Sequence, residues 1–175
     1  CAIIGALGAG ELVSLLAKEG NEIYVAANPV KEVENIRQEA QQLPDFEVKD
    51  TYAIDTLLAD NQGAYEMCFT LQPNAADISG FKLKNSKGEE VNIYLDQKAG
   101  KVVMDRTQSG IVEFGKDATL HQKETENMGA KNAVNYIDNF ALATWAPTKK
   151  SSNHQFRIFV DKCSVELFVD GGKIT

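Results

Sequence analysis

Apolar and polar positions alternate most clearly at 156–172, FRIFVDKCSVELFVDGG, where two such runs flank a polar connection. Phe156, Ile158 and Val160 fall on one side of an extended chain, and Val165, Leu167 and Val169 fall on one side of the next. Successive side chains of a strand point to opposite faces, so each run reads as a half-buried strand. Asp161, Lys162, Cys163 and Ser164 lie between them and suit a hairpin loop in length and composition. The segment is expected to be an antiparallel hairpin with one apolar face, Asp161 capping nearby N–H groups as a turn residue.

The same reading extends along the chain. Strands are expected at 11–16 and 22–27, joined at Gly20-Asn21, a pair that tolerates the positive φ of a tight turn. Pro29 then presets φ for a helical start, and Val30, Val33 and Ile36 or Arg37 recur at helical spacing. A short helix or single turn is expected over 30–41, with Lys31, Glu32, Glu34 and Arg37 on a solvated side and Pro44 as its stop. Further strands are expected at 46–51, 52–58, 65–71, 80–84, 90–95, 101–105 and 110–114, with turn signals at 60–63, 73–74, 85–88 and 98–100. The stretch 119–152 yields no assignment. Short strands with turns about every ten residues, and no helical crossovers, predict an all-β chain. The expected fold is an antiparallel β-sandwich of concanavalin-like or jelly-roll type with one short N-terminal helix or turn.

Length and charge narrow the functions open to such a fold. A chain of 175 residues is one domain, expected over 11–175, and buries about 70% of its unfolded surface. The first ten residues, CAIIGALGAG, are apolar and glycine-rich, too short to span a bilayer and without the charged start of a signal peptide. A lipid-bearing N-terminal Cys is normally followed by a polar tether, which this start lacks, and the boundary of a longer polypeptide accounts for it equally well. Lys and Arg number 18 against 25 Asp and Glu, a net charge of −7, so nucleic acid and membrane insertion are not expected. Neutral ligands such as sugars stay open.

Three cysteines, Cys1, Cys68 and Cys163, give no disulfide framework. A buried Cys68 and an exposed turn thiol at Cys163 are more economical than a bridge, which needs Cβ atoms about 4 Å apart. His121 and His154 stand alone, so neither a metal nor a cofactor is expected.

Few residues stand out as chemically suggestive. Asp105-Arg106 could bind a ligand, because a guanidinium offers a planar fork to hydroxyls or a carboxylate. The preferred reading is that Arg106, at a strand end, ties down the turn that follows. Tyr94, Tyr136 and Trp145 are the aromatics to weigh for stacking on a sugar ring. With eight Phe, five Tyr and one Trp and no run that spaces them as a platform, core or inter-domain packing is the expectation.

Three segments resemble, in order, parts of the C-terminal β-sandwich of glycoside hydrolase family 32, the invertases, levanases and inulinases. The segment 28–37, NPVKEVENIR, is similar to the family's N-P-V-K-E-x-E-x-L-R stretch. The segment 102–110, VVMDRTQSG, is similar to its D-R-T-x-S-G element, and 156–169 to its closing hairpin. Lys162-Cys163 departs from the family's usual small or basic residue followed by Ser. The resemblance implies a sandwich that does not cleave sugar itself. In the family the catalytic carboxyl groups belong to a five-bladed propeller carrying W-M-N-D-P-N-G, R-D-P and E-C motifs, none of which occurs here. It therefore implies no catalytic residue in this chain and, as partner, the catalytic propeller of a retaining β-fructosidase, a bacterial enzyme acting outside the cell or in the periplasm. Fructan and a second copy of the chain are further partners it allows. Glu166 would then face the propeller across the junction rather than solvent. The family pattern also runs on into one more strand after 175, whose loss would leave a sheet edge open.

Overall fold

The computed structural model describes residues 12–19, 21–38, 40–54, 62–110, 112 and 142–175. Among them are nine strands, a single 3-10 helix, and only antiparallel pairing. No helix among the described residues is long and apolar enough to cross a membrane. Contacts group the strands into two units.

The first unit holds β1 (Leu12–Glu19), β2 (Glu22–Pro29), the 3-10 helix (Lys31–Ile36), β3 (Tyr65–Leu71), β8 (His154–Asp161) and β9 (Ser164–Val169). β1 and β2 form a two-stranded hairpin, and β3, β8 and β9 a three-stranded sheet with β8 in the centre. The closing hairpin is tighter than its composition suggests. Asp161 pairs with Ser164, so the loop is Lys162-Cys163 rather than four residues. The Lys162 N–H donates to Asp161 Oδ1 at 2.7 Å, which holds the turn.

Phe156, Ile158, Leu167 and Val169 are buried on the face the alternation predicts, and Phe156 stacks on Phe69 of β3 with ring centroids 5.3 Å apart. The other face is not simply polar. Phe159 and Phe168 meet there edge to face at 5.9 Å, and Val33 of the 3-10 helix packs over them with Val30 behind. An edge-to-face pair of this kind contributes about 1 kcal/mol beyond its burial. The helix expected over 30–41 is six residues of 3-10 geometry, because Val33 is its one buried residue and the N-cap, Val30, makes no side-chain hydrogen bond. A longer helix would need a second apolar anchor, and Ile36 is exposed.

The second unit holds β4 (Ile78–Lys84), β5 (Glu90–Asp96), β6 (Lys101–Gln108) and β7 (Ala143–Pro147), in that order across one sheet. Ile93, Leu95 and Val102 are buried on one of its faces. Gly80 lies opposite Tyr94, and a Cβ there would fall 2.2 Å from Ile93 O, so the strands approach too closely for any other residue. β7 lies in the stretch that sequence left unassigned. It is a short edge strand ending in Pro147, which lacks an N–H, and so carries little period-2 signal.

One expected strand did not form, and the described part of a second is unpaired. Residues 46–51 and 52–54 join no ladder, and Phe46 and Tyr52, both exposed, meet each other with centroids 4.7 Å apart. Alternation marks a strand only where a neighbouring strand can pair with it. Gly110 and Val112 are also outside any strand. Residues 1–10, 55–58, 113–114 and 119–141 lie outside the described residues.

β2 is tied to the turn after β9. The Ala27 N–H donates to Gly172 O at 2.9 Å, and Asn28 Nδ2 to Gly171 O at 2.9 Å. Gly172 has φ of +82°, and a Cβ on it would lie 2.1 Å from Ala27 O. Beyond it Ile174 pairs with Val169 across an antiparallel bridge. Gly172→Ala is expected to cost about 2–3 kcal/mol, strain and collision together. Gly171→Ala, at φ +69° with open space around it, is expected to cost about 1 kcal/mol. Urea unfolding of the two variants checks the difference.

Candidate functional site

The densest group of charged side chains in the first unit is built on one carboxylate. Alternation along β3 puts Glu66 and Cys68 on the Phe159–Phe168 face of the sheet, and Arg157 of β8 shares that face. Arg37, just past the 3-10 helix, donates to Glu66 as a fork, Nε to Oε2 at 2.6 Å and Nη2 to Oε1 at 2.7 Å. Arg157 Nε donates to Oε1 at 2.6 Å, and the Arg157 guanidinium lies 5.0 Å from the Phe159 ring. Burial works against ionisation of Glu66, but the hydrogen bond from Arg37 and the charge and hydrogen bond of Arg157 outweigh it and hold the carboxyl below its usual range.

Such a carboxylate is a fixed anion. It has no spare oxygen for proton transfer, and its arrangement ties three segments together rather than activating a substrate. Partial desolvation of the sulfur, then the Glu66 charge, pushes the nearby Cys68 thiol up and favours its protonated form. Cys68 and Cys163 are both free; Cys163 is exposed as its turn position suggests, but Cys68 is exposed too rather than buried, because its strand face points away from the Phe69–Phe156 side. Beside the clamp lies a shallow depression of about 370 Å³, with Thr70, Gln155, Arg157, Phe168 and Gly172 on its walls. Arg157 Nη2 is buried without a hydrogen-bond partner among the described residues.

The residues singled out from the sequence are not brought together. Asp105 ends the regular part of β6, where Oδ1 accepts from Thr107 N at 2.8 Å and Thr107 Oγ1 at 2.7 Å. Those bonds hold its carboxyl below the usual range. Arg106 uses its backbone to fix the turn, with its N–H on Leu142 O at 3.0 Å and its carbonyl accepting from Ser109 at 3.0 Å. Trp145, on edge strand β7, is 60% exposed, with the Lys101 ammonium 3.9 Å from its ring centroid. Glu166 sits in the first unit on the clamp's face, half-buried opposite Phe159, and burial raises its carboxyl above the usual range. Tyr136 lies outside the described residues. Among the described residues no group of three His, Cys, Asp or Glu side chains could hold a metal.

Glu66 itself carried no sequence signal, since its partners lie 29 and 91 residues away. Both partners fall within the segments 28–37 and 156–169, however, which makes an arginine in each segment the available clue. Glu66→Gln is expected to cost about 2 kcal/mol, because it leaves two guanidiniums facing a neutral amide. The folded-state carboxyl titrates below its unfolded value, so its contribution is present above the ordinary Glu pKa and is lost as pH falls through the folded one. Thermal unfolding followed from neutral pH to below about 4 should show stability declining more steeply in the parent chain than in Glu66→Gln.

Residues 32–175 match the sequence profile of the family described as "Glycosyl hydrolases family 32 C terminal". A levanase of Bacillus subtilis is 30% identical over 155 residues, 86% of this chain and 20% of that protein. A sucrose-6-phosphate hydrolase of Zymomonas mobilis is 24% identical over 149 residues, 83% of this chain and 23% of that protein. The crystal structure of an exo-inulinase from Aspergillus awamori superimposes with a TM-score of 0.50 at 17% identity, covering 93% of this chain and 28% of that one. This chain thus spans about a fifth of the length of the curated relatives it matches. The fold is the antiparallel β-sandwich that the strand pattern predicts. With the profile running from the 3-10 helix to the final hairpin, the chain belongs to the family of C-terminal domains of family 32 glycosyl hydrolases.

Proposed function

We propose that this chain serves as the non-catalytic C-terminal sandwich of a larger fructan- or sucrose-hydrolysing enzyme, over 11–175, and that its work is to pack against and stabilise the catalytic propeller. The family match over 32–175 carries this reading. Two further observations support it. The propeller's catalytic motifs are missing from the sequence, so the acid and the nucleophile that glycoside hydrolysis needs would come from elsewhere. Glu166 is half-buried and has no hydrogen-bond or ion-pair partner among the described residues, so its desolvation is offset by nothing within them. A donor on the propeller would offset it. If the substrate is fructan, a polymer too large to enter a cell freely, the parent enzyme would act outside the cell or in the periplasm. A carbohydrate-binding module is the second reading, favoured by the exposed Trp145.

The chain alone is expected to release no fructose from levan, inulin or sucrose in a reducing-sugar assay. Added in trans to the separated propeller of the parent enzyme, it is expected to raise that domain's melting temperature by several degrees. Fructose release by the purified chain, or a propeller indifferent to it, would overturn the reading. Glu166 offers a finer measure. Its raised folded-state pKa means that its favourable contribution is present at low pH and is lost as pH rises through that value. Glu166→Gln should therefore stabilise the isolated chain at neutral pH, by a few tenths of a kcal/mol given how much of the side chain still meets solvent. The same change should weaken its association with the propeller.

A further inference from the structure

The four-stranded sheet has a second face that neither the clamp nor the propeller reading uses. Register places Gly80, Tyr94, Val103 and Trp145 in one row across β4, β5, β6 and β7. These residues alternate with Ile93, Leu95 and Val102, which are at most 2% exposed, so the row lies on the face opposite the buried one. Trp145 is 60% exposed on that face. Tyr94 stands two strands away, which the spacing of paired strands puts at about 10 Å between backbones. Gly80, forced small by its close approach to β5, leaves the side of Tyr94 towards β4 uncovered by any side chain in the row.

The charges around the row are balanced. Lys82, Lys84 and Lys101 share the face with Glu90, Asp96 and Asp105. Several are already matched: Lys82 Nζ lies 2.9 Å from Glu90 Oε1, and Lys101 lies over the Trp145 ring. Such a face gives no net attraction to a polyanion or a polycation. It also differs from a dry protein-interface core, which is depleted in charged residues, and here six surround two aromatics. What it offers is two flat rings for C–H-rich surfaces and a fringe of donors and acceptors for hydroxyls. That combination fits a neutral polyhydroxylated chain.

We propose that the outer face of β4–β7 is a docking strip for a neutral oligosaccharide, with Trp145 and Tyr94 stacking on two sugar units of one chain and Lys101 donating to hydroxyls beside Trp145. The choice of fructan as that oligosaccharide rests on the parentage proposed above. The strip would keep the polymer near an enzyme whose bond-breaking groups lie on another domain.

Trp145 is the sole tryptophan, so its emission reports on this strip alone. Titrating the chain with levan and inulin oligosaccharides is expected to shift or quench that emission and to saturate in the millimolar range or below. Calorimetry on Trp145→Ala should show association weakened at least about tenfold, with a melting temperature close to the parent's because Trp145 is exposed, and on Tyr94→Ala, whose side chain is half-buried, weakened about threefold or more with some loss of stability. No emission change with either fructan, or fructan binding that survives Trp145→Ala, overturns the strip. A shift caused by the propeller domain and not by sugar would also overturn it, by making the strip an inter-domain surface, and would leave the ancillary role intact. Binding of glucan oligosaccharides in place of fructans would refute the fructan assignment and with it count against the parentage.

Discussion

One carboxylate joins three parts of the chain that the sequence keeps far apart. Glu66 of β3, Arg37 beyond the 3-10 helix and Arg157 of β8 meet within hydrogen-bonding distance, and the 3-10 helix is thereby held against the sheet. Val33 can then cover Phe159 and Phe168, which would otherwise be two phenyl rings on an open sheet face. Desolvation and pairing oppose each other at this point, and pairing prevails because both oxygens of Glu66 are engaged by forked or charged donors. The residual imbalance sits on Arg157, whose Nη2 is buried with no hydrogen-bond partner among the described residues.

Much of the strand pattern was legible because strand periodicity is a local property. The closing hairpin, β3 to β6 and the turns between them follow from alternation and from Gly, Asn and Asp at the bends. What failed was set by tertiary neighbours. Residues 46–51 alternate well enough to read as a strand, yet among the described residues they join no ladder. β7 does have such a neighbour in β6, and it forms from ATWAP, a segment with almost no signal of its own. The hairpin's second face looked polar because Arg157 and Glu166 dominate it on paper, whereas Phe159 and Phe168 fill it in space.

The candidate residues divide the same way. Asp105 and Asp161 do what short-range chemistry dictates, accepting from N–H groups one or two residues on. Glu66 was invisible because its role exists only once β3 and β8 pair. Trp145 and Tyr94 were each visible as aromatics, but that they share a row depends on the register of three strands, one of which was not foreseen. Composition thus identified the aromatics, and only topology could align them.

The two hydrogen bonds between β2 and the Gly171-Gly172 turn bear on how the chain matures during synthesis. Asn28 and Gly171 are 143 positions apart, so a ribosome adding about 5–20 residues per second makes the acceptors on the turn roughly 10–30 seconds after the donors on β2. Through that interval β2 lacks these two ties, and Ile23 and Val25 are exposed even in the finished fold. The ties that fix β2 within the first unit therefore wait on Gly171 and Gly172, a separation that makes them late, non-local contacts in folding.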